Sequence, residues 1–220
     1  MSDETATEIP ESFYGSSLFR YRLSTFAYRA YCRARDTWLA ELTAPRDATI
    51  LDLGCSTGEA LADWAGNNAV VGFDHSLSAL HAARSRGFVP VCGRLSALPF
   101  APGGFDVVSA MGIIGASDSP QPVMEDVCSL LRDGGRALFA IAVYGGARRV
   151  TRPLVRMLRI KNEMRHIPSV DECRFALDRA GLEISTLATS PLFPSPEVTF
   201  SPSPRQCRGA VYLFVDAYRR

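Results

Sequence analysis

The sequence predicts an α/β fold in which helices cover both faces of a mainly parallel sheet. Three observations predict it: short apolar runs rich in valine, isoleucine and leucine, helical patterns that alternate with them, and a glycine turn after the first run. Parallel strands that are buried on both faces form such continuous apolar runs, and alternation with helices favours βαβ units. With 220 residues, 47% hydrophobic and 21% charged, the chain has the apolar content of one folded domain.

The amino-terminal part of the chain is expected to form a helical cap over residues 1–43, because its aromatic and basic segment 13–42 has helical spacing. The core is expected to follow over residues 44–220. Its first five strands are predicted at ATILDLG (48–54), AVVGFD (69–74), FVPVCG (88–93), FDVVSAMG (105–112) and GRALFAIAV (135–143). Helices are predicted between these strands, starting near Gly58, over 76–86 and over 122–132.

The alternation of strands and helices is interrupted by a basic insertion over residues 145–168 and then resumes. Ser169 is suited to cap the next helix and Gly181 to end it. Strands are predicted at LEISTLA (182–188) and GAVYLFVDAY (209–218). Five prolines lie within residues 191–204, and proline cannot join an interior strand, so a loop is expected there.

Charge and cysteine usage exclude several classes of function. The net charge of +1 does not favour nucleic-acid binding by the molecule as a whole. The six cysteines show no CxxC or Cys/His pairing, so neither a disulfide framework nor a metal site is expected, and a reducing, cytoplasmic setting fits best. The sequence shows neither an export signal nor an apolar stretch long enough to span a membrane.

The strongest functional signal is the strand, turn and helix motif ILDLGCSTGEAL (50–61), in which Gly54 and Gly58 bracket a tight turn. Glycine permits positive φ and a close approach of backbone to a ligand, and the N–H groups that open the next helix can bind a polar group. Asp74 ends the second strand about twenty residues later, where an acid can accept hydrogen bonds from both ribose hydroxyls of a nucleoside. A plain βα turn and a helix-capping acid are the structural alternatives.

The sequence resembles the class I S-adenosylmethionine-dependent methyltransferases, whose first motif is similar to LDLGCGTG, with Ser56 where that family usually has its middle glycine. The resemblance covers roughly residues 46–190 and continues in order through VVGFDHSLSAL, GRLSALPF, GGFDVVSAMG, SLLRDGG and VDECRFALDRAGLEI. It implies a Rossmann-like sheet of seven strands in the order 3-2-1-4-5-7-6, with the last strand antiparallel. It also implies S-adenosylmethionine as the cofactor of a methyltransferase.

The resemblance further implies which residues hold the methionine part of the cofactor. These are Asp52, the backbone of Gly54, Cys55 and Ser56 in the turn that Gly58 closes, and Met111 beside the amino group and the transferable methyl.

On the adenosine side, the resemblance implies that Asp74 holds the ribose and that His75 and Leu77 border the adenine. In GRLSALPF the family usually has an aspartate where this chain has Arg94, and that acid accepts the adenine amino group. Arginine is only a donor and cannot do so. Adenine is then expected to be held by the backbone of Leu95 and Ser96 and by apolar packing.

A general base helps methyl transfer if the acceptor is a hydroxyl group. Among the three histidines, His166 is the candidate, because it ends the basic segment in which a substrate lid is expected. The tyrosines at 14, 21 and 28 are candidates to close over the cofactor, with a place in the core as the alternative.

Residues 147–166 hold seven basic residues and one acid, a net charge of +6, so the rest of the chain sums to −5. The arginines at 152, 156 and 159 recur at helical spacing beside apolar residues, which predicts an amphipathic helix. Such a segment is either a solvated face, a lid that selects an acidic small-molecule substrate, or a patch for an acidic carrier protein or a lipid headgroup.

Two other functions are compatible with parts of the pattern. One is a protein that binds S-adenosylmethionine or its product without transferring the methyl group, as a partner subunit or sensor. The other is a nicotinamide-dependent oxidoreductase, which the G-x-x-x-G spacing disfavours because such enzymes normally have G-x-G-x-x-G.

Overall fold

The computed structural model describes residues 18–143, 166–191, 198–202, 207 and 210–220. Within them lies one sheet of eight strands. The strands are β1 (Thr49–Leu53), β2 (Ala69–Asp74), β3 (Val89–Cys92), β4 (Phe105–Met111), β5 (Leu131–Ala142), β6 (Leu182–Ser190), β7 (Thr199–Phe200) and β8 (Tyr212–Arg219).

The strand order is β3-β2-β1-β4-β5-β8-β6-β7. The five strands from β3 to β5 are parallel, and β8 runs antiparallel to both β5 and β6. If the two-residue β7 is left out and β8 is counted as the seventh strand, this order is the expected 3-2-1-4-5-7-6. The predicted α/β fold with its antiparallel last strand is confirmed. The additional β7 has two residues and pairs with β6 at the edge, inside the stretch that was expected to be only a loop. Its two residues are not prolines, so their N–H groups remain available to the sheet.

Five α-helices and one 3₁₀ turn connect the described strands. They are α1 (Leu18–Ala40), α2 (Ala62–Ala65), α3 (Leu77–Ser85), α4 (Pro120–Leu130), α5 (Val170–Arg179) and the 3₁₀ turn Ile114–Ala116. The helix expected from Gly58 starts only at Ala62, because Ser56 and Gly58 have positive φ and prolong the turn. At α5 the prediction holds: Ser169 and Glu172 form a capping box, and Gly181 follows the helix with φ +79°.

Helices cover both faces of the sheet, as expected. Side chains of α4 and α5 share one buried cluster with alternate residues of the strands, and α1, α2 and α3 share the other. Trp38 of α1 is fully buried and stacks on Phe214 of β8, with 5.4 Å between ring centroids. The amino-terminal helix is therefore part of the core that supports the strand ends. None of the described helices is long and apolar enough to cross a membrane.

Candidate functional site

The turn after β1 lies at the carboxyl edge of the sheet and is fixed by backbone hydrogen bonds. The N–H groups of Gly54 and Cys55 both donate to the carbonyl of Phe73 on β2, at 2.7 and 3.1 Å. Gly58 donates to the carbonyl of Cys55 at 2.8 Å. Gly54, Ser56 and Gly58 have φ of 72°, 49° and 78°, in the region that favours glycine. The predicted tight turn is present and is pinned to the neighbouring strand.

The two glycines also make room for the chain's own side chains. A Cβ atom at Gly54 would overlap Cγ2 of Ile113, which follows β4. A Cβ atom at Gly58 would lie 2.6 Å from the ring of Phe88, ahead of β3. Both contacts are shorter than side chains tolerate, so packing as well as backbone conformation requires glycine at these positions.

Ser56 occupies a conformation that strains its side chain, which explains why glycine suits this position. We expect Ser56→Gly to raise the free energy of unfolding by up to about 1 kcal/mol, because glycine adopts positive φ without the Cβ penalty. Urea unfolding measures this change. Ser201, with φ 48° and remote from the turn, is the matched control: Ser201→Gly should give a similar gain, and no gain at Ser56 would contradict the assigned strain.

Asp74 joins this turn to the next one. Its Oδ2 accepts a hydrogen bond from the N–H of Ser56 at 3.0 Å, and its Oδ1 accepts one from the N–H of Ser76 at 2.9 Å. The Nδ1 atom of His75 lies 3.3 Å from Oδ1, while the side chain of His75 is 81% exposed. A carboxylate has about four acceptor positions, so Asp74 can accept further hydrogen bonds from a ligand. The motif and the acid that the sequence singled out are in direct contact.

Asp52 lies on β1, two residues before Gly54. It is 2% exposed, faces Ser109 of β4 in register, and its Oδ2 has no hydrogen-bond partner within the described part of the chain. Burial raises the pKa of the Asp52 carboxyl to about 6, against the weaker opposing effects of the nearby Ser109 hydroxyl and the Arg35 charge. Ser109, whose hydroxyl lies beside the Asp52 carboxyl, was not predicted as a site residue.

The raised pKa makes stability depend on pH. The folded state holds the Asp52 proton up to about pH 6, whereas the unfolded chain releases it near its ordinary 3.8. The contribution of Asp52 to the free energy of unfolding is thus fully present below about pH 4 and lost as the pH rises through 6. We expect wild type to lose up to about 3 kcal/mol relative to Asp52→Asn over this range. Urea unfolding of both proteins from pH 4 to 7 measures it; parallel curves would contradict the assignment.

Cys55 is buried beside these carboxylates and is not a nucleophile. Burial, and then the charges of Asp52 and Asp74, raise the pKa of the Cys55 thiol. Since the thiolate is the reactive form, this thiol is inert at neutral pH. Its Sγ instead fills space beside Gly72 of β2, where a Cβ atom would lie 2.9 Å away.

The predicted adenine residues are at the outer rim. Leu77 opens α3 and is 72% exposed, which leaves an apolar side chain uncovered close to Asp74. Arg94 is exposed in the loop after β3. Leu95 and Ser96 line a hollow beside α4, and none of the residues lining this hollow belongs to the turn or to β2.

Met111 ends β4 and is buried on the face that α1 covers. Gly112 follows with φ 82°, and the hydroxyl of Tyr31 on α1 lies 3.6 Å from the position of a Cβ atom there. Tyr31 packs against Tyr28 and Tyr212, with ring centroids 6.5 and 5.4 Å apart. Of the three tyrosines considered in the sequence, only the side chain at 28 is described.

His166 lies where the chain re-enters the described region. Its backbone N–H donates to the carbonyl of Gly115 at 3.4 Å, which puts it at the 3₁₀ turn that follows β4. Its Nε2 is 3.3 Å from Oε1 of Glu172, the capping residue of α5. Most of the lid predicted over residues 145–168 lies outside the described residues, which resume at 166, so its helix and its basic stripe stay predictions.

The fold and this edge define a class of protein. A doubly wound sheet in the order 3-2-1-4-5-7-6, with a glycine turn and an aspartate at the carboxyl ends of its first two strands, is the arrangement of class I S-adenosylmethionine-dependent methyltransferases. The model of a family described as a methyltransferase domain matches residues 23–187, well over half of the chain. The chain therefore belongs to this methyltransferase family, whose cofactor is S-adenosylmethionine.

Comparison with solved structures agrees with this assignment. A methyltransferase from Thermotoga maritima, described as a possible histamine N-methyltransferase, is 17% identical with a TM-score of 0.66, covering 91% of this chain and 92% of that one. A chain from the complex between the Haloferax volcanii Trm112 methyltransferase activator and a protein described as a methyltransferase is 21% identical with a TM-score of 0.63, covering 90% and 96%. The [4+2]-cyclase SpnF is 19% identical with a TM-score of 0.60, covering 85% and 80%. At these identities the likeness shows the fold alone. A search of curated proteins found none that matches.

Proposed function

We propose that the protein transfers the methyl group of S-adenosylmethionine to a small-molecule acceptor, at the carboxyl ends of β1, β2 and β4. One observation carries the proposal: Asp74 holds the glycine turn through the Ser56 N–H and keeps acceptor positions free for the two ribose hydroxyls. A ribose bound there would lie within reach of the turn and of the orphaned carboxylate Asp52.

The residues present suit the cofactor. In this proposal the buried Oδ2 of Asp52 accepts from the methionine amino group, beside the backbone of Gly54, Cys55 and Ser56, and Met111 packs near the methyl group. The exposed Leu77 gives the adenine an apolar surface, bordered by His75, while the backbone of Leu95 and Ser96 bounds its far side. Arg94, which stands in place of an acid, would not accept a hydrogen bond from the adenine amino group.

The chain's contribution to the reaction is mainly alignment. S-adenosylmethionine supplies an already activated methyl carbon on a sulfonium. Holding an acceptor in line with that carbon is worth roughly 7–11 kcal/mol of the barrier, without any nucleophile from the protein. Buried strand ends and the α1 cover suit this role, because they exclude water.

For a hydroxyl acceptor we propose His166 as the general base. Its attachment to Gly115 puts it beside the end of β4, and the Glu172 carboxylate near Nε2 would orient the ring. Burial raises the pKa of Glu172, but hydrogen bonds from Ser169 and the His166 charge outweigh it and leave the pKa below its usual range. A charged Glu172 would stabilise the protonated imidazole that results from proton abstraction.

A small acceptor is supported by the weak overall charge, which gives no general attraction for nucleic acid. The methyltransferase from Thermotoga maritima with a similar fold is described with a small amine as its possible substrate. The basic segment 147–166 favours an acidic acceptor. An acidic carrier protein or a lipid headgroup are the alternative ligands of this segment. All six cysteines are free, which fits the proposed cytoplasmic setting.

The test is incubation of the purified protein with methyl-labelled S-adenosylmethionine and a cell extract, which is then separated into small molecules, protein and nucleic acid. We expect label in at least one small-molecule fraction, and less label with Asp74→Ala at the same cofactor concentration. Cofactor binding without a labelled product in any fraction would contradict catalysis and favour the sensor. Label that appears only in protein or nucleic acid would contradict the small acceptor.

A further inference from the structure

Arg35 is a buried arginine on α1 that the sequence did not single out. It is 8% exposed, although the residues beside it at the core are apolar. Arginine is almost never buried without partners, because desolvating its charge costs several kcal/mol. Such a residue requires an explanation in terms of the groups around it.

The described partners of Arg35 do not fully account for its burial. Nε and Nη2 lie 2.8 and 2.7 Å from one oxygen, Oδ1 of Asp36, whose side chain is 60% exposed. The guanidinium carbon lies 5.8 Å from the ring centre of Tyr31. No described residue accepts a hydrogen bond from Nη1. Guanidinium presents five donors in a planar fork, and among the described residues only Asp36 accepts from them, so an anion would complete the set.

The sheet places Asp52 and Ser109 on the face that α1 covers. Side chains alternate along a strand, and Ile50 packs with α1 while Leu51 and Leu53 pack on the other face, so Asp52 points towards α1. Ser109 shares that face, because it is the register partner of Asp52. The charge of Arg35 acts on Asp52 and opposes the rise in its pKa. A buried cation and a buried, partly unsatisfied acid thus lie near one another at the same strand ends.

We propose that Arg35 binds the carboxylate of the methionine part of the cofactor while Asp52 accepts from its amino group. In a zwitterionic amino acid the ammonium and carboxylate groups are attached to the same carbon. The carboxylate would accept hydrogen bonds from Arg35 while the ammonium group donates to Oδ2 of Asp52. Binding two carboxylate oxygens with a guanidinium fork also fixes orientation. Tyr31 positions Arg35 through its ring and borders the end of β4 at Gly112. Arg35 is thereby a binding residue contributed by the amino-terminal helix.

The inference about Arg35 rests on the proposed cofactor site. A comparison of two ligands distinguishes failure of the Arg35 inference from failure of the proposed site. S-adenosylhomocysteine carries the amino-acid group, whereas 5′-methylthioadenosine has the same nucleoside and sulfur without it. We expect Arg35→Gln to weaken S-adenosylhomocysteine about 10- to 100-fold in calorimetry and to change 5′-methylthioadenosine less than about twofold. Arg33→Gln, at an exposed position of the same helix, is the control and should change neither.

Equal weakening of both ligands by Arg35→Gln would overturn the proposal, because it would show a general structural role. Unchanged affinity for S-adenosylhomocysteine would also overturn it. A wild-type protein that binds neither ligand would instead contradict the proposed function.

Arg35→Gln removes a buried charge and therefore also changes the stability of the protein. A second measurement therefore uses only the wild-type protein. The methyl ester of S-adenosylhomocysteine keeps the amino group and loses the carboxylate charge. We expect wild type to bind the ester at least about tenfold more weakly than the acid. Equal affinity for ester and acid would overturn the proposal.

Discussion

Asp74→Ala is expected to weaken binding of S-adenosylmethionine at least about tenfold, with the fold intact. The carboxylate would accept from two ribose hydroxyls, and hydrogen bonds to a charged group are worth roughly 1.5–3 kcal/mol each. The substitution also removes the acceptor for the Ser56 and Ser76 N–H groups, so the turn loses its side-chain attachment to the end of β2. Titration calorimetry with S-adenosylmethionine measures the affinity, and circular dichroism checks the fold.

Asp74→Asn and Asp178→Asn separate the two contributions. The amide oxygen that Asp74→Asn introduces can still accept hydrogen bonds, so the affinity of this variant should fall between those of wild type and Asp74→Ala. Asp178 pairs with Arg220 on the exposed side of α5, and Asp178→Asn should leave affinity unchanged. Wild-type affinity in Asp74→Ala would refute the ribose role of Asp74.

Asp216→Ala is expected to lower the free energy of unfolding by about 3–5 kcal/mol, the usual result of leaving a buried charge unpaired. Asp216 on β8 accepts two hydrogen bonds from Arg136 on β5, at 2.7 and 3.0 Å, and the side chains of Arg136 and Asp216 are 13% and 5% exposed. The third described bond of Arg136, from Nη1 to the carbonyl of Thr43, joins the segment after α1 to the same pair. Urea unfolding measures the loss.

Asp178→Ala is the matched control for this stability change. It breaks an ion pair of similar length, 2.8 Å to Arg220, but both partners are largely exposed. Exposed pairs contribute at most about 1 kcal/mol, so the control should lose much less than Asp216→Ala. If the free energy of unfolding decreased equally in the two variants, burial of the Arg136–Asp216 pair would not increase the effect of breaking it, which would contradict the prediction.

Several features of the fold could be predicted because they depend on neighbouring residues. The strand at residues 50–53 is a largely apolar run, and Ser169 is followed by an acid at the third helical position. The turn after β1 has glycine at two positions of positive φ. The strand, the capping box and the turn are each determined by residues only a few positions apart in the sequence.

The same reasoning found one half of the candidate site. The glycine turn and Asp74 were expected to bind one ligand together, and in the structure the Ser56 N–H donates to the Asp74 carboxylate. The predicted start of α2 was wrong by a few residues, since the positive φ angles of Ser56 and Gly58 that prolong the turn are visible only in the structure. The binding roles of the adenine residues and the base role of His166 stay predictions.

The other half of the site is assembled by contacts between distant parts of the chain. An arginine at position 35 and a serine at position 109 have no local pattern that marks them, although an arginine beside Ala34 and Trp38 on an apolar helix face is a weak signal. Their placement depends on strand register and on the docking of α1 against β8. Local hydrogen bonding and side-chain periodicity thus specify the elements and the turn. Long-range packing energy selects which buried groups meet beneath α1, and no short stretch of sequence encodes that choice.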